Sequence, residues 1–387
     1  MNLVFAPKGK CNTTLVPLMI LDMFKDLNVT ARQVAKNLNV SDTYVHDTFL
    51  QFVDLPRLKL TPVISIDEVH MHFNKSDLYS LVIMDFQTKQ IIDFLPNRRA
   101  EYTSVYFRSI PKEERDIVKY LVTDMNDSFI EYTSIYLKQS VNIIDSFHVI
   151  KWIIGRIRSY IGSVKRKYLR QDAQRLEEYN QKYNVHRKSI KPCKETYFLT
   201  HFNWVMLSNN DDLEYYGRKE YKALGQYLDT EDIKKQYFEI NPNFKKIHEL
   251  KEKYIKFNQE YINRPNEAGE ALDELINLYK ESEYKMFREF SDLLHAHRDA
   301  IVNSFTCITL KDSKDHEEIL QRISNGPIES FNNKPKDYRR QSQGVENSEY
   351  TRNRILWSVR ESPAMLAVPR DISNLKVERK KRGKYKK

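Results

Sequence analysis

Five short apolar runs between residues 62 and 145 constrain this chain most, because four of them close on an aspartate. Pro62-Val63-Ile64-Ser65-Ile66-Asp67 is the first, and Leu78 to Asp85 the second. A turn through Gln87-Thr88-Lys89 leads to the third, Ile91 to Leu95. Ile117 to Asp124 and Val141 to Asp145 follow. Each run has the length and β-branched content of a strand and is bounded by turn formers. The first three read as an antiparallel meander. Helices are predicted near 100–110 and 127–138, so the order is β-β-β-α-β-α-β. Consecutive strand–helix units imply parallel later strands.

That order is ribonuclease H-like, and in it the first and fourth strands are neighbours. The functional crevice of an α/β sheet lies outside the carboxyl ends of its strands. Asp67 and Asp124 each terminate a strand there. Paired carboxylates can share magnesium, which prefers oxygen ligands and leaves part of its shell to water and phosphate. Two such ions would stabilise the attacking and leaving oxygens of a phosphoryl displacement. The third carboxylate is expected from Ser324-Asn325-Gly326-Pro327-Ile328-Glu329-Ser330-Phe331-Asn332-Asn333. Pro327 suits a helix start, which puts Glu329 in the first turn. A single acid at a strand end is usually a solvated turn residue, and Asp85 and Asp93 are read that way. The combination of three is what carries chemistry.

The remainder sorts by charge and period. Thr30-Ala31-Arg32-Gln33 is a capping box, and Ser41 caps a second helix. Asn39 suits the left-handed turn between them. Ala35, Val40 and Val45 then pack as in a helix-turn-helix, with an ordinary helical hairpin as the alternative. The second helix exposes Asp42, Thr43, Tyr44, His46 and Asp47. No convincing strand is seen from 146 to about 323, and apolar spacing such as Leu250, Tyr254, Phe257 and Tyr261 predicts a helical bundle. Net charge is +10, but segment 151–170 holds seven basic residues and no acid, and the tail from Arg370 is also basic. Only 9 glycines occur and no glycine-rich phosphate loop, and the 3 cysteines form no Cys-x-x-Cys pair, which speaks against a disulfide scaffold and for a reducing cytoplasm. No apolar run reaches the ~20 residues of a membrane span, and no signal peptide is read. His70-Met71-His72 alternates like a metal pair but lacks a third soft ligand, so a surface strand is the reading.

These residues resemble bacterial insertion-sequence transposases of the ISL3 type, in the Mutator-like branch of the DDE superfamily. The resemblance runs from about residue 28 to 360. It is carried by Ile64-Ser65-Ile66-Asp67-Glu68, Leu121-Val122-Thr123-Asp124-Met125, Ile144-Asp145-Ser146-Phe147-His148-Val149 and the segment from Ser324-Asn325 through Glu329 to Asn332-Asn333-Lys334. Arg339-Arg340, Gly344, Asn347 and Arg352-Asn353-Arg354 extend it. It implies that Asp67, Asp124 and Glu329 are the DDE triad and hold two Mg2+ (or Mn2+) ions. Asp145-x-x-His148 is similar to the superfamily's Cys/Asp-x-x-His signature, so Asp145, His148, Asn325 and Asn332 are expected beside the site. It also implies that the long helical stretch is an insertion ahead of the Glu helix. Such proteins usually begin with a cysteine-rich zinc finger, whereas here only Cys11 precedes the helix-turn-helix, as in a shortened copy. Pro335 is a second departure, expected to kink or end its helix.

The expected organisation is a helix-turn-helix region at 1–58, the first part of the core at 59–155, an all-helical insertion at 156–320, the Glu helix and end of the core at 321–362, and a basic tail at 363–387. The expected function is metal-dependent phosphodiester cleavage and strand transfer by a nucleoid-associated bacterial protein. Its rivals are a catalytically silent DNA-binding derivative and a nuclease without strand transfer. Expected partners are element terminal inverted repeats, target DNA and a second copy in the synaptic complex, with no membrane. Expected DNA contacts are Arg32, Thr43, Tyr44 and His46, then Lys151 and Arg156, then Lys334, Lys336, Arg339 and Arg340. A solvated charged face is the alternative for the last four.

Overall fold

The structure, a computed structural model, describes residues 13, 15–73, 75–76, 78–311, 318–342 and 347–373. Cys11, Gly344 and most of the basic tail lie outside the described residues. The chain divides into two compact units: residues 1–143 with 323–387, and residues 144–322.

The first unit opens with helices α1 (Leu15–Met23), α2 (Ala31–Leu38) and α3 (Asp42–Phe52). The capping box at Thr30 and Gln33 forms, Asn39 takes φ 52°, and Ser41 caps α3. Strands β1 (Val63–His70), β2 (Tyr79–Asp85) and β3 (Ile91–Leu95) are followed by α4 (Ala100–Ser109), α5 (Lys112–Arg115), β4 (Tyr120–Thr123), α6 (Asp127–Ile135) and β5 (Val141–Ile144). The sheet order is β3-β2-β1-β4-β5. β1 pairs antiparallel with β2 and parallel with β4, so the expected meander and the crossover to the fourth strand both form.

Strand alternation divides the sheet into two apolar faces. Ile64, Ile66, Leu81 and Ile83 pack with Phe107, Phe129 and Tyr132 from α4 and α6. Val69, Met71, Val82 and Met84 pack with the N-terminal helices and with residues of the returning chain such as Ile328, Phe331 and Trp357. Asp67 shares its side of β1 with Val69, so it faces the returning helices.

The second unit begins with the long α7 (Ser146–Tyr183), then α8 (Lys194–His201) and α9 (Trp204–Leu207). After hairpin β6 (Lys219–Tyr221) and β7 (Gln226–Leu228) come α10 (Thr230–Glu239), α11 (Asn243–Glu260), α12 (Pro265–Lys280), α13 (Lys285–Ala296) and α14 (Arg298–Asn303). A second hairpin, β8 (Cys307–Lys311) and β9 (Glu318–Arg322), closes the unit. The expectation of an all-helical stretch is therefore corrected by two hairpins. β6 and β7 are 3 residues each, too short to show a period. β9 exposes adjacent Ile319 and Leu320 rather than alternating them.

The chain then returns to the first unit as α15 (Gly326–Phe331), α16 (Asn333–Gln341) and α17 (Ser348–Val359). The expected break near Pro335 occurs: α15 stops at Phe331, and Pro335 sits in the first turn of α16, where its missing N–H costs no hydrogen bond.

Candidate active site

Asp67 is not the last residue of its strand. β1 runs on to His70 because Asp67–His70 still pair with β2, from Asp67–Val82 to His70–Tyr79. Pairing with β4, however, stops at Ser65–Val122. The pairs Val63–Tyr120 and Ser65–Val122 share one offset (120 − 63 and 122 − 65), and the same offset carries Asp67 to Asp124. Asp124 directly follows the last residue of β4. The two carboxylates thus lie level, where the parallel pair opens.

Each carboxylate is held by named groups. The Glu68 backbone N–H donates to Asp67 Oδ1 at 2.8 Å, and Asn332 Nδ2 donates to Asp67 Oδ2 at 2.7 Å. Asn332 follows Glu329 by one helical turn, and Glu329 stands in the first turn of α15 as expected. The amide of Asn332 therefore ties the Glu329 segment to the β1 carboxylate. Asn126 orients the other acid: its N–H donates to Asp124 Oδ1 at 3.0 Å, and its Nδ2 donates to Glu68 Oε1 at 3.0 Å. Glu68 is also ion-paired with Arg98, whose guanidinium lies 4.8 Å from the Tyr79 ring centre. Sequence reasoning missed Glu68, Asn126 and Arg98. The one available signal was the Asp124-x-Asn126 spacing, which suits a side-chain cap at the start of α6.

Among the described residues, no three His, Cys, Asp or Glu side chains lie close enough together to hold a metal ion. The donor set nonetheless fits a hard cation. Asp67, Asp124 and Glu329 offer only oxygen, and each is partly exposed. Asn332 Oδ1 and Ser65 Oγ are buried with no hydrogen-bond partner among the described residues. Ser65 lies two residues before Asp67, on the same side of β1. Buried oxygens without donors mark a place that a water or ion completes.

The other expected site residues fall into three groups. Asn325 is fully buried at the start of α15. Asp145 and His148 open the second unit, where Asp145 caps α7 by accepting from the Phe147 N–H at 2.8 Å, and His148 is half-buried. Of the expected DNA contacts, Arg32, Thr43, Lys151, Lys334 and Arg340 are exposed, and Lys336 is half-exposed. Tyr44 is half-buried against the apolar cluster, and the His46 ring sits 4.9 Å from Tyr350. Arg156 lies over the Trp152 ring at 4.8 Å and pairs with Glu289 at 3.5 Å. Arg340 pairs with Asp337. Arg339 donates to His70 Nδ1 at 2.9 Å, so that imidazole accepts as the neutral form, and burial together with Arg339 and His72 lowers its pKa. Asp93, read as a surface acid, is instead 3% exposed and ion-paired with Arg352.

Comparison with characterised proteins gave no match. A profile of DDE transposases of the ISL3 type, described as transposase, matches residues 64–355. That span begins inside β1, ends inside α17, and includes both aspartates and Glu329. No described helix is long and apolar enough to cross a membrane. With the profile covering well over half of its length, the chain belongs to the ISL3-type family of insertion-sequence transposases.

Proposed function

We propose that Asp67, Asp124 and Glu329 form the catalytic triad of this transposase, on a ribonuclease H-like core, and hold two divalent ions, Mg2+ or Mn2+. The observation that carries the reading is the Asn332–Asp67 hydrogen bond, which fastens the Glu329 segment to β1 where Asp124 lies level with Asp67. Bound ions would supply Lewis-acid stabilisation of the attacking and leaving oxygens. The chain's own residues do the rest. Asp67 and Asp124 present oxygens at the open end of the β1–β4 pair. Asn332 and Asn126 fix which oxygen each carboxylate offers. Arg339, steadied by His70, and Lys334 supply positive charge to DNA phosphates.

The reaction would be hydrolytic cleavage at an element end, followed by attack of the freed 3′-hydroxyl on target DNA. Arg32 and Thr43 would contact DNA from the N-terminal helix pair, read as a helix-turn-helix in region 1–58. Tyr44 and His46 would reach it only after leaving their present packing. Asp145 and His148, at the start of α7, would be further functional residues. The core would comprise 59–155 and 321–362, with 156–320 an insertion and 363–387 a basic tail. The DNA partners would be terminal repeats and target, met by a dimer or larger assembly in the nucleoid.

The decisive variant is Asp124→Asn. It removes one charged ligand, so cleavage of an element-end duplex in magnesium should fall by at least ~10³-fold, while duplex binding changes less than ~3-fold. Cleavage at the wild-type rate would overturn the triad.

A further inference from the structure

We infer that the exposed face of α7 is a binding surface for the sugar–phosphate backbone of DNA, built from Lys151, Arg158, Lys165 and Arg166 around Gly155 and Gly162. This rests on the reading that the chain acts on DNA. α7 buries Val149, Ile153, Ile157 and Ile161, a line at four-residue spacing. At about 100° per residue, the six named positions cluster on the opposite side. Gly155, Arg158 and Arg166 are exposed there, as is Lys151, and the helix carries no acid before Asp172. None of the four cations has an ion-pair partner among the described residues. Arg156, beside this face, is spent on Trp152 and Glu289, while Lys151 lies over the exposed Phe147 ring at 5.7 Å with no carboxylate against it.

The glycines sharpen the choice of partner. Glycine inside a helix is unfavourable relative to alanine, and this chain holds only 9 glycines. Two of them sit seven residues apart on this one face. Internal packing does not require them: a Cβ on Gly155 would meet nothing within 4 Å, and one on Gly162 only the Arg166 guanidinium at 3.9 Å. Their effect is to leave the helix surface low between raised cations, so that a polyanion can lie against the main chain. From Lys151 to Arg166 the face is about 22 Å long, comparable to about six base-pair steps of duplex. A membrane is a poorer fit, because the helix's apolar side is already buried in its own unit. A second copy of the same face would be repelled by like charge.

Two full-length variants test this, with binding of a fluorescent 30-base-pair duplex followed from 50 to 300 mM salt. Arg158→Gln with Lys165→Gln should flatten the log–log salt slope by about 1.8, two phosphate contacts' worth. Gly155→Leu with Gly162→Leu should weaken duplex binding about tenfold while melting no lower than wild type, since leucine is the better helix former. A purely structural role for the glycines would lower melting instead. An unchanged slope with unchanged affinity of the leucine variant overturns the proposal. So does equal loss of binding to phosphatidylserine vesicles, or loss of self-association without loss of DNA binding. Magnesium-dependent cleavage by the wild type is scored separately, so failure here leaves the triad reading standing, and failure of the triad leaves this surface standing.

Discussion

The two units bury charge in opposite ways. In the first, buried cations join parts of the chain roughly 260 to 330 residues apart. Arg354 is 1% exposed and donates to the carbonyls of Phe24, Asp26 and Val29, with its guanidinium 4.2 Å from the Phe24 ring centre. Asn353 accepts from the Leu55 N–H and donates to the Val53 carbonyl. Arg352 pairs with Asp93, and Trp357 Nε1 donates to the Leu21 carbonyl. A six-residue stretch of α17, Arg352 to Trp357, thereby holds the N-terminal helices and β3. In the second unit the fully buried Lys251 donates to the Ser208 carbonyl and pairs with Glu252, while His248 Nε2 meets Asn210. Those ties span about forty residues and close one loop. The contrast teaches that buried cations knit a discontinuous unit together, whereas in a continuous one they only trim local structure.

Arg354→Met tests the contrast most severely. It strips the donor from buried carbonyls and should cost about 3 kcal/mol of first-unit stability. Trp357 reports the first unit, and Trp152 and Trp204 the second, so single-tryptophan variants resolve them in urea. An equal fall in both transitions would break the comparison. Asn332→Ala should act next most strongly, and on chemistry rather than on scaffold. Element-end cleavage should drop about 10- to 100-fold, with Mn2+ affinity by electron paramagnetic resonance weakened in parallel. Unaltered Mn2+ affinity would deny Asn332 its positioning role.

The smallest effect is expected in the second unit and depends on pH. Burial, reinforced by Lys251, pushes the His248 imidazole down to about 4 from its ordinary 6.5. As pH falls below 6.5 the unfolded chain takes up that proton and the folded unit does not, so stability is complete above 6.5 and erodes toward about 4. His248→Gln should therefore narrow the shift in the Trp204 urea midpoint between pH 7 and pH 4.5. A variant with the wild-type pH response would assign the acid weakening to other groups.

Strand order and the Glu329 helix were legible because alternation, a proline and a few acids state them locally. Asp67 was placed in the right strand but at its end, since nothing local announces that β1 continues beside β2 after leaving β4. The Glu68–Asn126–Arg98 ties were illegible for the same reason: each partner looks like a surface residue until the sheet brings them together. Asp93 misled because a single acid is usually a turn or surface residue, while the partner that lets it be buried, Arg352, lies 259 residues on. Hairpins β6–β7 and β8–β9 escaped notice because short strands between helices carry no usable period.

The division of the chain has a consequence for timing. The first unit needs both 1–143 and 323–387, with 179 residues (322 − 143) between them. At a synthesis rate of ~5–20 residues per second, a nascent chain that already carries Asp67 and Asp124 waits about 10–40 s for Glu329, and slightly longer for the fastening stretch of α17. With the proposed triad, cleavage of DNA has to await the segment that carries Glu329. A ribosome-arrested chain ending before residue 323 should carry both aspartates and cut no DNA.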